Sequence, residues 1–284
     1  MANFDFDQAE GLRRMLAGAR PRIVTFLSAT DQEDRSAMLV NLCASLSDTG
    51  TDVVLLDTCC HSRSVANRLG LAQGPALSDL AQHACELDQM LRQAPQGFQV
   101  ATLAPHSINP RRLLPAARQA LNQAFSTLCK RASVLVLEAE FDPACGFALP
   151  AMAENEIVLQ VSNSARSIKA GYALIKSISL TLGRRPFGIL VTGASESEAK
   201  LVYDNMARAA SRYLAVELKS MGSVPADEYV YRAARLGKAV IDAFPLAGAS
   251  VAYRRLAGRL RVVPGWPQMA GERGGAFSAR LAGT

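Results

Sequence analysis

The chain has 284 residues, 49% of them hydrophobic and 20% charged, which suits one large α/β domain. No uninterrupted apolar run reaches the roughly 18 residues of a spanning helix, and the acidic N-terminus is unlike a signal peptide, so a cytoplasmic protein is expected. The net charge of +6 would permit contact with nucleic acid or anionic lipid, but its arginines are scattered with no aromatic-interleaved basic face, and no direct nucleic-acid binding is expected.

Residues 1–20 hold a short amphipathic helix, with Asp7 as N-cap, Glu10 as its capping-box partner, and an apolar stripe of Ala9, Leu12, Met15 and Leu16. Residues 23–27 read as a buried strand, and residues from Ser36 onward as a helix with apolar Met38, Leu39, Leu42 and Leu46. A strand, a short loop and a helix opening on Arg35-Ser36 is the layout of a phosphate-binding GxxxxGK[ST] loop. This loop has no glycine between Leu27 and Leu46, and it carries Asp31, Glu33 and Asp34. Glycines let such a loop turn its amides inward, and one like-charge contact at 4 Å costs about 1 kcal/mol even in water. A triphosphate is therefore unwelcome here, although Arg35 could hold a phosphate and Ser36 a metal.

Further strands are predicted over 53–56, 100–103, 134–137, 157–161 and 188–192, and helices over 37–47, 77–94, 111–131, 168–182 and 196–213. This alternation predicts a doubly wound, mostly parallel sheet with helices on both faces. Ligands in such sheets sit at the carboxyl ends of the strands, which brings 28–36, 57–63, 138–142, 162–167 and 192–196 around one rim. Cys59, Cys60 and His61 could ligate a metal, but neighbours at a strand end point opposite ways and the six cysteines lack zinc-module spacing, so no metal is expected. Residues 247–263 form a last helix, apolar at Val251, Leu256, Leu260 and Val263 and basic at Arg254, Arg255, Arg259 and Arg261. Core packing explains it better than a membrane surface does. The domain is taken as 21–263, with residues 264–284 read as a disordered tail.

Three segments carry a family resemblance: DQAEGLRRML (7–16), AGYALIKSIS (170–179), and the stretch 198–245 with its GxVPxDExVxRA pattern at Gly222, Val224, Pro225, Asp227, Glu228, Val230, Arg232 and Ala233. Together they resemble the MinD/ParA-type P-loop ATPases and, within them, the FlhG (FleN) family of flagellar-number regulators in its divergent β-proteobacterial form. Against the family's KGGxGKT the chain has Thr30 for the signature Lys, Arg35 for the phosphate-holding Lys, and Ser36 for the metal-holding hydroxyl. The family's DxD survives as Asp57-Thr58-Cys59, Glu138 stands where the Mg²⁺-linked Asp belongs, and Thr192 stands where an Asn meets adenine. A thiol at Cys59 cannot act as a carboxylate base.

The resemblance implies a regulator of flagellar number and placement whose N-terminal helix docks on the signal-recognition-type GTPase FlhF. Gln8 would be supplied to that GTPase's active site, with Asp7, Ala9, Leu12, Arg13 and Leu16 making the dock. A flagellar transcription activator is a second partner the family implies. The degenerate loop predicts no cofactor, no ATPase activity, and a monomer or nucleotide-independent dimer. The alternative is a working ATPase, using ATP and Mg²⁺, that cycles between cytoplasmic monomer and membrane-bound dimer. Recruitment to the cell pole or inner membrane is left open by the sequence.

Overall fold

The computed structural model describes residues 21–58, 65–71, 74–105 and 108–262, with only the backbone of Gln32, Glu33 and Val262. β1 (Arg22–Ser28) leads through Ala29, Thr30 and Asp31 into α1 (Gln32–Ser47), and β2 (Val53–Asp57) follows. Three short helices, α2 (Val65–Arg68), α3 (Leu77–Ala81) and α4 (Leu87–Met90), precede the antiparallel pair β3 (Arg92–Gln93) and β4 (Gln99–Thr102). A 3-10 turn at Pro110–Arg112 and α5 (Pro115–Cys129) lead to β5 (Val134–Glu138), α6 (Ala151–Glu154) and β6 (Glu156–Ser162). Then come α7 (Ala165–Leu182), β7 (Phe187–Thr192), α8 (Glu196–Leu214) and β8 (Leu218–Val224). The described chain closes with α9 (Glu228–Arg235), α10 (Val240–Ala243) and α11 (Gly248–Val262).

The strands form one sheet in the order β3-β4-β2-β5-β1-β6-β7-β8, parallel except for the β3–β4 pair. Central strands are apolar on both sides because helices cover both faces. Val24 and Phe26 of β1 face one core with Met38, Leu42 and Leu46 of α1 and Tyr253, Leu256 and Leu260 of α11. Leu27 faces the other core, with Leu121, Phe125 and Leu128 of α5 and Ile175 and Ile178 of α7. β1 lies between β5 and β6, so the chain's direction of travel reverses there and a crevice opens beyond its carboxyl end. Register places Phe26 opposite Glu138 and Ser28 opposite Gln160.

Three sequence expectations are corrected. The helix expected over 77–94 breaks into α3, α4 and strand β3: His83 takes φ 57° and the Ala84 amide folds back to Asp79 O, ending the first piece. The helix expected over 111–131 begins only at Pro115, where the absent N–H belongs at a first turn. The helix expected from residue 37 begins at Gln32, because Asp31 caps it. The closing helix packs on the core, burying Tyr253, Leu256, Ala257 and Leu260 against α1 and β8, but of the apolar residues expected there Val251 is exposed and Val263 lies outside the described residues. Asn41 ties the two regions, donating to Ala37 O at 2.8 Å and accepting from the Val240 amide at 2.7 Å.

Candidate functional site

The β1–α1 junction is the structural core of the site. Asp31 has extended backbone angles, and its Oδ1 accepts from the Asp34 amide at 2.9 Å while its carbonyl accepts from the Arg35 amide at 3.2 Å. Amides that a phosphate-cradling loop would turn toward an anion are thus engaged by Asp31, whose carboxylate already complements the positive end of the helix. Thr30 Oγ1 lies 2.8 Å from Ser28 Oγ, so this side chain folds onto the strand end.

Beneath the junction, the Arg35 guanidinium turns into the sheet. Its Nε stands 2.9 Å from Glu138 Oε1 and its Nη2 3.4 Å from Glu140 Oε1, with 7% of the Arg35 side chain and none of Glu138 exposed. The Nε contact is ionic rather than an aligned hydrogen bond. Burial, with the Glu138 charge as a second cause, pushes the neighbouring Cys43 thiol far above the usual range. Thr58 Oγ1 donates to the Glu138 carbonyl at 2.5 Å. Asp57 is buried, and its Oδ2 accepts from the Ala66 amide at 3.2 Å, fastening the strand end to the start of α2. Ser36 Oγ is buried with no hydrogen-bond partner among the described residues.

The loop after β5 is braced from outside. Arg111 donates from Nη2 to Glu140 O at 2.8 Å and from Nε to Gly146 O at 3.1 Å. Asp142 Oδ1 accepts the Ala144 and Cys145 amides at 2.7 and 3.1 Å, and these bonds hold its carboxyl below the ordinary value.

Across the crevice, a cleft of about 550 Å³ opens between α1, the ends of β6 and β7, and α9. Gln160 crosses its floor, accepting from Ser28 Oγ at 3.2 Å and donating to Thr192 Oγ1 at 3.1 Å. Asp34, Asp227 and Glu228 line it beside Tyr231 and Tyr253. Asp227 is engaged as a cap, accepting from the Tyr229 amide at 3.0 Å and the Ala249 amide at 2.9 Å. Carboxylates on this wall suit a neutral or cationic visitor better than an anionic one.

Thr30, Arg35, Ser36, Asp57, Glu138 and Thr192 therefore gather at one rim, but Arg35 is turned toward Glu138 and Thr192 toward Gln160. Asp7, Gln8, Ala9, Leu12, Arg13 and Leu16 lie outside the described residues, as do Cys59, Cys60, His61 and the tail expected over 264–284. Sequence reading missed Glu140, Gln160 and Arg111. Glu140 stands two residues beyond Glu138, and Gln160 interrupts an apolar strand, so both left a visible signal.

A parallel sheet reversing direction at β1, with a strand–loop–helix at that point and acids at the ends of β2 and β5, defines the P-loop NTPase fold of the MinD/ParA type. MinD of Aquifex aeolicus shares the fold at a TM-score of 0.62 and 15% identity, covering 84% of this chain and 96% of that one. MinD of Pyrococcus horikoshii, solved with Mg-ADP, gives 0.63 at 14% identity over 84% and 96%, and a ParA family ATPase of Chlorobium tepidum gives 0.60 at 14% over 86% and 100%. The chain belongs to the FleN (FlhG) family: it is 32% identical over 236 residues to the antiactivator FleN of Pseudomonas aeruginosa, covering 83% of each protein. No family model matches the chain.

Proposed function

We propose that this member of the FleN family regulates flagellar number and placement through protein contacts and does not use ATP. The observation that carries this reading is the Arg35–Glu138 ion pair, buried at the phosphate end of the crevice. Mg²⁺ and ATP do not fit these residues. A phosphate drawing Arg35 away would break a buried ion pair at a cost of about 3–5 kcal/mol, roughly a thousandfold in affinity. It would also meet the Asp31 carboxylate at the α1 terminus. Ser36 Oγ is buried without a hydrogen-bond partner among the described residues, and with Arg35 folded inward it has no anion to serve with. Calorimetry with MgATP up to millimolar concentration is expected to give no binding heat. Micromolar binding would favour the working ATPase, for which the retained Asp57 is the supporting feature.

The outward activity rests on the motif at residues 7–16. That segment activates an FlhF-type GTPase, with Gln8 donating to one oxygen and accepting from the attacking water to orient it in line with the γ-phosphate. Asp7, Ala9, Leu12, Arg13 and Leu16 start and dock the helix. The folded domain restrains a flagellar transcription activator, a reading supported by the kinship with an antiactivator. The protein works as a cytoplasmic monomer or a nucleotide-indifferent dimer. Single-turnover GTP hydrolysis with the saturating full chain tests the first activity: Gln8→Ala should remove most of the stimulation while leaving partner binding intact, and equal stimulation would refute the role of Gln8.

A further inference from the structure

A second cleft, of about 370 Å³, lies over the exposed edge of β8, away from the crevice. Met221 and Gly222 form its floor, Tyr203 and Lys200 of α8 one wall, and Leu256, Arg255 and Arg259 of α11 the other. The α8 wall is mixed, since Glu196 and Asp204 flank Lys200. The α11 wall is cationic: the helix exposes Arg254, Arg255, Arg259 and Arg261 and has no acidic residue in its whole length. Several of these arginines are held in place. Arg254 donates to Pro245 O at 2.6 Å, Arg255 pairs with Glu196 at 3.1 Å, and Arg259 lies against Gly222, where an added Cβ would stand 3.0 Å from its Nη1.

The first ten residues, MANFDFDQAE, carry the complementary chemistry. They include Asp5, Asp7 and Glu10, no basic side chain, and two aromatics, Phe4 and Phe6. The chain then enters the domain beside the same helix, since Arg22 Nη1 donates to Leu260 O at 2.5 Å and Arg259 O at 3.2 Å. From Leu260 back to Arg255 is about 7.5 Å along a helix, whereas residues 6–21 span about 24 Å even when fully helical, so the segment reaches the cleft without strain. Residues 264–284 are a poorer match, with Glu272 outnumbered by Arg273 and Arg280.

We infer that residues 1–10 dock in cis in the cleft between α8 and α11, with Phe4 and Phe6 on the apolar floor and their flanking carboxylates on the arginines of α11. An arginine beside a buried aromatic ring adds a cation–π contact to the ion pair. The segment is then stored on its own domain, and any partner that takes it must first draw it out. This inference goes beyond the GTPase reading and does not depend on it.

The test uses the full chain with a photo-cross-linking benzoylphenylalanine in place of Phe6. The expected result is an intramolecular cross-link to Tyr203, Met221 or Leu256, with a yield independent of protein concentration. Arg255→Glu with Arg259→Glu should lower that yield about tenfold, as reversal of two exposed pairs allows. Adding Asp5→Arg and Glu10→Arg, which spare the DQAxxLR residues, should restore it. Unchanged thermal melts would show that the domain is intact. Cross-links to another surface, cross-links between copies that grow with concentration, no cross-link, or a yield indifferent to the arginines would each overturn the proposal.

Discussion

The two halves of the crevice are built in opposite ways. At the end of β1 and β5 the space is filled by an ion pair and a capped helix terminus, while at the ends of β6 and β7 a cleft of about 550 Å³ remains open. Different elements build the two halves, so the packing of one does not fix the shape of the other. In the first, a glycine-free turn caps α1 at Asp31 and an arginine reaches back to the neighbouring strand. A phosphate site depends on backbone amides left unsatisfied, and any side chain that satisfies them removes it.

The contrast predicts unequal sensitivity to substitution. Glu138→Gln should have the largest effect, about 3–5 kcal/mol lost in urea denaturation, because it removes the charge 2.9 Å from a buried guanidinium and leaves the longer contact to Glu140 at 3.4 Å to carry more of the neutralisation. Arg35→Met combined with Glu138→Leu should recover most of that loss, and failure to recover would mean that the site needs its charges for more than mutual neutralisation. In the open half, Asp227→Ala should cost about 2 kcal/mol, since it frees the Tyr229 and Ala249 amides together. Asp31→Ala should cost about 1 kcal/mol in a thermal melt, the value of a single exposed cap.

The smallest effect concerns acid. Asp142 titrates below its ordinary 3.8 because backbone amides hold its charged form. Its contribution is complete above the unfolded value and is lost as pH falls through the lower folded value. Amide exchange at Ala144 and Cys145 should therefore stay protected at pH 5 and lose that protection only below the ordinary carboxylate range. Loss of protection already at pH 5 would break the account of this loop.

The sequence was most legible where burial is two-sided. β1, β2, β4, β5, β6 and β7 all stand within a residue of the apolar runs that predict them, since strands covered on both faces have little freedom in composition. β8 went unread because it is an edge, with Lys219, Ser220 and Ser223 where an inner strand would be apolar. The site was half legible. Missing glycines and surplus acids are visible locally, but the destination of Arg35 is not, because it depends on β1 and β5 lying side by side in parallel register. The sequence marks Arg35 as a phosphate ligand or a relic; the fold makes it the partner of Glu138.

The bond from Val240 to Asn41 joins residues 199 positions apart, and α11 covers the face of α1 that carries Met38, Leu42 and Leu46. During synthesis the first helix of the sheet therefore emerges from the ribosome long before its cover exists. At about 5–20 residues per second, that side of the sheet waits on the order of ten seconds or more with its apolar surface uncapped. Chains interrupted before residue 248 would lack the larger part of that cover, making α11 the step that decides between a folded protein and an aggregate.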